Sequence, residues 1–203
     1  MKSITLRYAF ILAFVALICA TASSGVYFLT KDRIQHAIDN QQKELLLQVV
    51  PQSYFDNDLL ASCSLPPSHL TGINKLYRAT LAGNLTAYAF ETTAPDGYSG
   101  DIRLLVGLTP KGEILGVRTL EHHETPGLGD KIETRISDWI LSFTHQFLHS
   151  DNLQDWAVKK DGGKFDQFAG ATITPRAVVN QVKRASLNLL EKLDHNLELV
   201  PCP

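Results

Sequence analysis

Residues 8–29 run for 22 positions without a charge. As a helix rising about 1.5 Å per residue they would reach roughly 33 Å, enough to cross a hydrocarbon core. Beyond them Ile34, Ile38, Leu45 and Val49 share one helical face, with Ala37 and Leu46 beside it, which predicts a helix over 31–50. Pro51 ends it. Residues 53–70, with Pro66-Pro67 and many polar side chains, read as loop. Four strand-like runs follow: 75–81 and 85–92 around Ala82-Gly83-Asn84, then 102–108 and 114–120 around Pro110-Lys111-Gly112-Glu113. Each pair predicts a β-hairpin. Between the pairs, residues 94–100 read as a turn-rich loop whose Tyr98 suits a planar ligand. A Gly-rich loop spans 124–130, and a helix over 137–148 is expected to bury Trp139, Ile140, Phe143 and Phe147. Last, Val178, Val182, Ala185, Leu189 and Leu193 recur at steps of three and four, with Lys183, Arg184, Glu191 and Lys192 off that stripe. They predict a helix from about Pro175 to Leu193.

Strands first and helices after them, in an antiparallel meander, indicate an α+β domain. The expected organisation is a membrane anchor over 1–30, a juxtamembrane helix over 31–50 and a globular domain over 51–203. A cleaved secretory signal competes with the anchor, since Lys2 and Arg7 make an n-region and Ala20-Thr21-Ala22 resembles a cleavage site. Retention is favoured, because the apolar run continues through Val26-Tyr27-Phe28-Leu29 and a charged helix former follows without a turn. Lys31 and Arg33 balance Lys2 and Arg7, so flanking charge does not orient the span. Formal net charge is -2, and all 21 acidic residues lie beyond the span. No basic surface points to nucleic acid. Cys19 lies in the span; Cys63 and Cys202 either pair or stand as two unrelated thiols.

The chemistry concentrates before the last helix, in Phe168-Ala169-Gly170-Ala171-Thr172-Ile173-Thr174-Pro175-Arg176. Gly170 frees the backbone, Thr174 is a good N-cap, and Pro175 suits the first helical position. A hydroxyl there sits at the positive end of a helix, where an anion gains roughly 0.3–2 kcal/mol from the dipole. The string Gly170-Ala171-Thr172-Ile173-Thr174 resembles the covalent flavin-attachment motif of the FMN-binding domains of bacterial membrane electron-transport complexes. Two further strings, Glu121-His122-His123-Glu124-Thr125-Pro126-Gly127-Leu128-Gly129-Asp130-Lys131-Ile132 and Trp156-Ala157-Val158-Lys159-Lys160-Asp161-Gly162-Gly163, precede it in the same order as in that family. Together, behind one N-terminal anchor, they resemble the family of G subunits of the Rnf/Rsx ion-translocating oxidoreductase complexes.

That resemblance implies one FMN held as a phosphoester on Thr174, with Thr172, Gly170 and Ala171 around its phosphate. It also implies a flavin-side segment formed by His122, Glu124, Thr125, Gly127, Leu128 and Gly129. Ala169 stands where the family usually has Ser or Thr, which removes one phosphate hydrogen bond. The resemblance also implies a separate flavin transferase using FAD and Mg²⁺; the chain itself shows no obvious base or metal cage to activate Thr174. The resemblance further implies an inner-membrane protein with its domain in the periplasm. Its partners would be the other membrane subunits of a complex that couples ferredoxin:NAD electron transfer to ion movement. Some relatives are associated with keeping a redox-sensing transcription factor reduced. Two other readings stand beside this one. A non-redox structural anchor needs no flavin. A metallohydrolase would use His145 and His149, which share a face if their segment is helical, with His122, His123 and Glu124. The zinc-protease pattern is absent, because Gln146 follows His145.

Overall fold

The computed structural model describes residues 2–192 and 200–202, with side chains from residue 6 onward. Leu193, expected on the buried stripe of the last helix, lies outside the described residues. The chain forms two compact units, residues 1–42 and 43–203.

The first unit is helical and belongs to α1 (Lys2–Val49). Its large apolar side chains, from Leu6 through Phe14 and Ile18 to Leu29, are exposed around the whole circumference. A helix apolar all round and unburied by protein has the character of a membrane span. Among the described residues it is one helix long and apolar enough to cross a bilayer. The hydroxyls of Thr21 and Thr30 donate to the carbonyls of Leu17 and Val26, each at 2.8 Å. These bonds satisfy polar groups that lipid could not.

The second unit is built on an antiparallel sheet. The strands are β1 (Ser64–Leu65), β2 (Ile73–Leu81), β3 (Asn84–Gly97), β4 (Gly100–Leu108), β5 (Glu113–Glu121), β6 (Gln146–Phe147) and β7 (Val200–Pro201). Their order is β6-β5-β4-β3-β2-β1-β7. The side-chain period of two sorts β2, β3, β4 and β5 between two cores. Tyr88, Phe90 and Ala94 of β3 and Leu104, Val106 and Leu108 of β4 face α2 (Ile173–Lys192), together with Ile140, Phe143, Trp156 and Phe165. Ala87, Ala89 and Leu105 face the other way, onto Leu46, Val49, Val50, Phe55 and Leu59. Within the 31–50 segment, the last turn supplies this buried face; Ile34 and Ile38 are exposed.

Gly107 and Gly116, register partners on β4 and β5, let that last helical turn lie close to the sheet. A Cβ at Gly107 would stand 2.0 Å from the Val49 carbonyl oxygen, and one at Gly116 would stand 2.9 Å from that of Gln48.

Three expectations need correction. Residues 94–100 are not a loop: β3 runs on to Gly97 and turns into β4 through Tyr98 and Ser99. Polar and turn-prone residues here sit on a paired strand because β4 continues opposite them. Residues 137–148 are not a helix. A short 3-10 turn covers Trp139–Phe143, after which the chain joins the sheet edge as β6. The His145 N–H donates to the Ile114 carbonyl at 2.8 Å and the Leu148 N–H to that of Gly112 at 2.9 Å. Edge pairing thus outcompetes the helical period; Ile140 and Phe143 are buried as expected, whereas Phe147 is exposed. Finally, the 53–70 stretch holds a 3-10 turn over Gln52–Tyr54 and the short β1.

Cys63 and Cys202 form a disulfide, with Cα atoms 5.4 Å apart, beside the β1–β7 pairing. Closing so long a loop stabilises by up to about 5 kcal/mol in the chain-entropy account.

Gly107→Ala is expected to destabilise the domain by about 1–3 kcal/mol through overpacking against α1. Urea unfolding of the full chain in detergent, followed by tryptophan fluorescence, checks this.

Candidate functional site

Three segments converge at the head of α2. The first is the approach to the helix. Gly170 has φ of 77°, a left-handed conformation that glycine adopts without strain, and the Ala171 N–H returns to the Phe168 carbonyl at 3.1 Å. The Thr172 carbonyl accepts the Arg176 N–H at 3.3 Å, which makes Thr172 the N-cap. Thr174 is therefore in the first turn rather than at the cap. Proline is tolerated throughout the first turn, so Pro175 does not mark one starting residue. The first-turn N–H groups still lack intrahelical acceptors, so the anion-favouring end of the helix is retained. Arg176 in turn pairs with Asp161, Nη2 to Oδ1 at 2.8 Å, tying this turn to the segment before it.

The second segment leaves β5. The Glu124 N–H donates to His122 Nδ1 at 3.1 Å, so the ring proton is assigned to Nε2, which faces Glu133 at 2.7 Å. The Leu128 and Gly129 N–H groups return to the Thr125 carbonyl at 3.1 and 3.0 Å. Gly127, with φ of 78°, makes that tight turn possible. The third segment is the β3–β4 hairpin tip, whose Ser99 N–H donates to Glu124 Oε1 at 3.0 Å.

At the junction the Thr174 hydroxyl donates to Glu124 Oε2, and both residues are buried. Among the described residues no ion pair reaches the Glu124 carboxylate. Two glycines make room for this contact. A Cβ at Gly129 would stand 2.9 Å from both Thr174 Oγ1 and Glu124 Oε2, and one at Gly97 would stand 2.9 Å from Glu124 Oε1.

A cavity of about 280 Å³ opens here, lined by Tyr98, Glu124, Thr125, Leu128, Gly129, Gly170, Ala171, Thr172, Ile173 and Thr174. The cavity lining carries the Thr172 and Thr174 hydroxyls at the helix head and the Glu124 carboxylate beside Thr174. Its mouth carries the exposed Tyr98 and Leu128, and Gly170 presents no side chain. A phosphate at the helix head with a flat apolar ring at the mouth fits this division. A larger hollow of about 670 Å³ lies between Tyr54, Leu81, Thr86, Thr109, Glu113 and Phe147 but lacks such a helix head.

Of the residues expected at the site, Thr174, Thr172, Gly170, Ala171, Glu124, Thr125, Leu128 and Gly129 line the cavity. Gly127 and His122 do not; they shape and brace the loop from behind. Tyr98 is present as its position suggested, whereas Ser99, Gly97 and Glu133 carried no local signal. The sequence shows no obvious base beside Thr174, and folding brings the Glu124 carboxylate to its hydroxyl across 50 positions. The metallohydrolase grouping does not assemble. His145 is not helical, having φ of 61°, and its Nδ1 faces Glu113 at 2.8 Å, while His122 faces Glu133. Among the described residues no cluster of three potential ligands is placed to hold a metal.

Arg135 beside Glu133 holds that carboxyl below its ordinary 4.5, and His122 adds to the effect against partial burial. A depressed carboxyl contributes stability that is present above the ordinary value and lost as pH falls through the folded one. Glu133→Gln should therefore lose less stability than wild type on acidification below about pH 4.5. Urea midpoints measured across that range test this.

The FMN-binding domain family matches residues 97–186. The RnfG N-terminal region matches residues 1–49. The G subunit of the ion-translocating oxidoreductase complex of Haemophilus influenzae (strain PittEE) is 66% identical over 188 residues, covering 92% of this chain and 91% of that protein. The corresponding G subunit of Pasteurella multocida (strain Pm70) is 65% identical, covering 94% and 96%. That of Photorhabdus laumondii is 51% identical, covering 97% and 95%. The crystal structure of Shewanella oneidensis NqrC aligns with a TM-score of 0.46 at 20% identity, covering 72% of this chain and 73% of its own. With an FMN-binding domain over the candidate cavity and full-length relatives at such identity, the chain belongs to the family of G subunits of ion-translocating oxidoreductase complexes.

Proposed function

We propose that this protein is a membrane-anchored electron carrier whose FMN is bound covalently, as a phosphoester on Thr174, and whose domain lies on the periplasmic side. The observation that carries the reading is the placement of the Thr174 hydroxyl. It faces the cavity from the first turn of α2, where a phosphodiester keeps one negative charge beside unpaired N–H groups. Thr172, at the cap, is within the same lining and supplies a second hydroxyl toward the phosphate. Tyr98 and Leu128 would cover the ring, and the Thr125–Gly129 turn would set its polar edge. FMN, when bound, supplies the redox chemistry; the chain orients it and sets its electrostatics.

The disulfide between Cys63 and Cys202 supports an oxidising compartment for the domain. The proposed organisation is an anchor over 1–30, a juxtamembrane helix over 31–50 and the FMN-binding domain over 51–203. Electrons would pass to and from the other membrane subunits of a complex that links ferredoxin:NAD electron transfer to ion movement. A flavin transferase using FAD and Mg²⁺ would load the site.

The chain produced with an active flavin transferase is expected to show in-gel flavin fluorescence after denaturation and an intact-mass gain of one FMN. Thr174→Ala should abolish both, and Thr172→Ala should retain them. No adduct in wild type, beside a transferase control that labels its own substrate, overturns the covalent reading.

A further inference from the structure

We infer that Glu124 is the base that activates Thr174 for its own modification, so that the acceptor protein, not only the transferase, supplies a catalytic group to flavin transfer. The inference rests on the covalent reading above. A threonine hydroxyl is a weak nucleophile until a neighbouring group accepts its proton. Here the hydroxyl already points its hydrogen at a carboxylate oxygen, the geometry required of a general base.

Three features mark this contact as built. Glu124 is buried, and among the described residues no Lys or Arg pairs with it, so its charge is not engaged in an ion pair. Its other oxygen is held by the Ser99 N–H at 3.0 Å, and its own N–H by His122 at 3.1 Å, which aim Oε2 at Thr174. Gly129 and Gly97 leave out side chains that would press within 2.9 Å of the carboxylate. A merely structural cap for Thr174 would not need a buried, unpaired acid; a backbone carbonyl would serve, as one does for Thr119 at 3.0 Å.

The step balances. The Thr174 O–H bond breaks and its proton passes to Glu124 Oε2. The freed electron pair forms a bond to the flavin-side phosphorus of FAD. The bond from that phosphorus to the bridging oxygen breaks, and AMP leaves with its electrons. The proton then returns through water to the released AMP. While Glu124 holds that proton, no like charge stands beside the phosphodiester as it forms, which eases the bond-forming step.

The test measures the rate of FMN incorporation into the purified apo full chain in detergent, with transferase, FAD and Mg²⁺, by fluorescence and intact mass. Glu124→Gln keeps size and hydrogen-bond acceptance but cannot take the proton, and should label roughly 100- to 10,000-fold more slowly than wild type. Glu124→Ala should be slow likewise and be accelerated by added formate, which wild type should not be. Labelling of Glu124→Gln at the wild-type rate, with Thr174→Ala unlabelled, overturns the inference and leaves the covalent reading standing. Slow labelling of both variants with no effect of formate assigns Glu124 to holding the site's shape and also overturns it. Absence of adduct in wild type overturns the covalent reading and the inference with it.

Discussion

Tyr88, Phe90 and Ala94 project from one face of β3, and Ala87 and Ala89 from the other, and all are fully or almost fully buried. A sheet buried on both faces cannot rest against water on either side, so the remaining elements of this domain are arranged as two covers. On one side lie α2 and the segment carrying Phe143, Trp156 and Phe165, with Phe143 stacked on Phe165 at 4.4 Å. On the other lie the end of α1 and the Phe55–Leu59 stretch, brought close by Gly107 and Gly116. The β1–β7 edge is closed by the disulfide, and the opposite edge by the short β6.

The candidate site is a consequence of that burial. Because Val178, Val182, Ala185 and Leu189 seat α2 against the sheet, its first turn is held at the far end of the β3–β4 hairpin. The loop leaving β5 must pass between the two, and its tight turn places Glu124 under Thr174. The site therefore draws on three segments far apart in sequence, a helix head, a hairpin tip and a hydrogen-bonded loop. It also concentrates an electrostatic tension, since a buried carboxylate and a bound phosphate would share one small cavity.

Membership of this oxidoreductase-complex family and the all-round apolar helix in the first unit agree on a membrane setting. The domain meanwhile keeps its own core, with α1 contributing Leu46, Val49 and Val50. The candidate site thus draws on residues of the second unit throughout.

Local periodicity and punctuation were sufficient for much of this protein. The uncharged run of residues 8–29, the hairpins around Gly83 and Gly112 and the apolar stripe of α2 are short-range patterns, and each is read from neighbours in sequence. The Gly170–Thr174 string and the Thr125–Gly129 turn were legible for the same reason, as contiguous residues with distinctive chemistry. What depended on distant partners was not legible. The segment over 137–148 has a helical period, but β5 offers its edge, and pairing decides. Residues 94–100 look like a loop until β4 lies beside them. Cys63 and Cys202 could be recognised as candidates, yet only the β1–β7 pairing makes them neighbours. Glu124 and Thr174 are each ordinary alone; they stand 50 positions apart in sequence, and the packing of α2 on the sheet decides that one accepts the other's proton in a hydrogen bond.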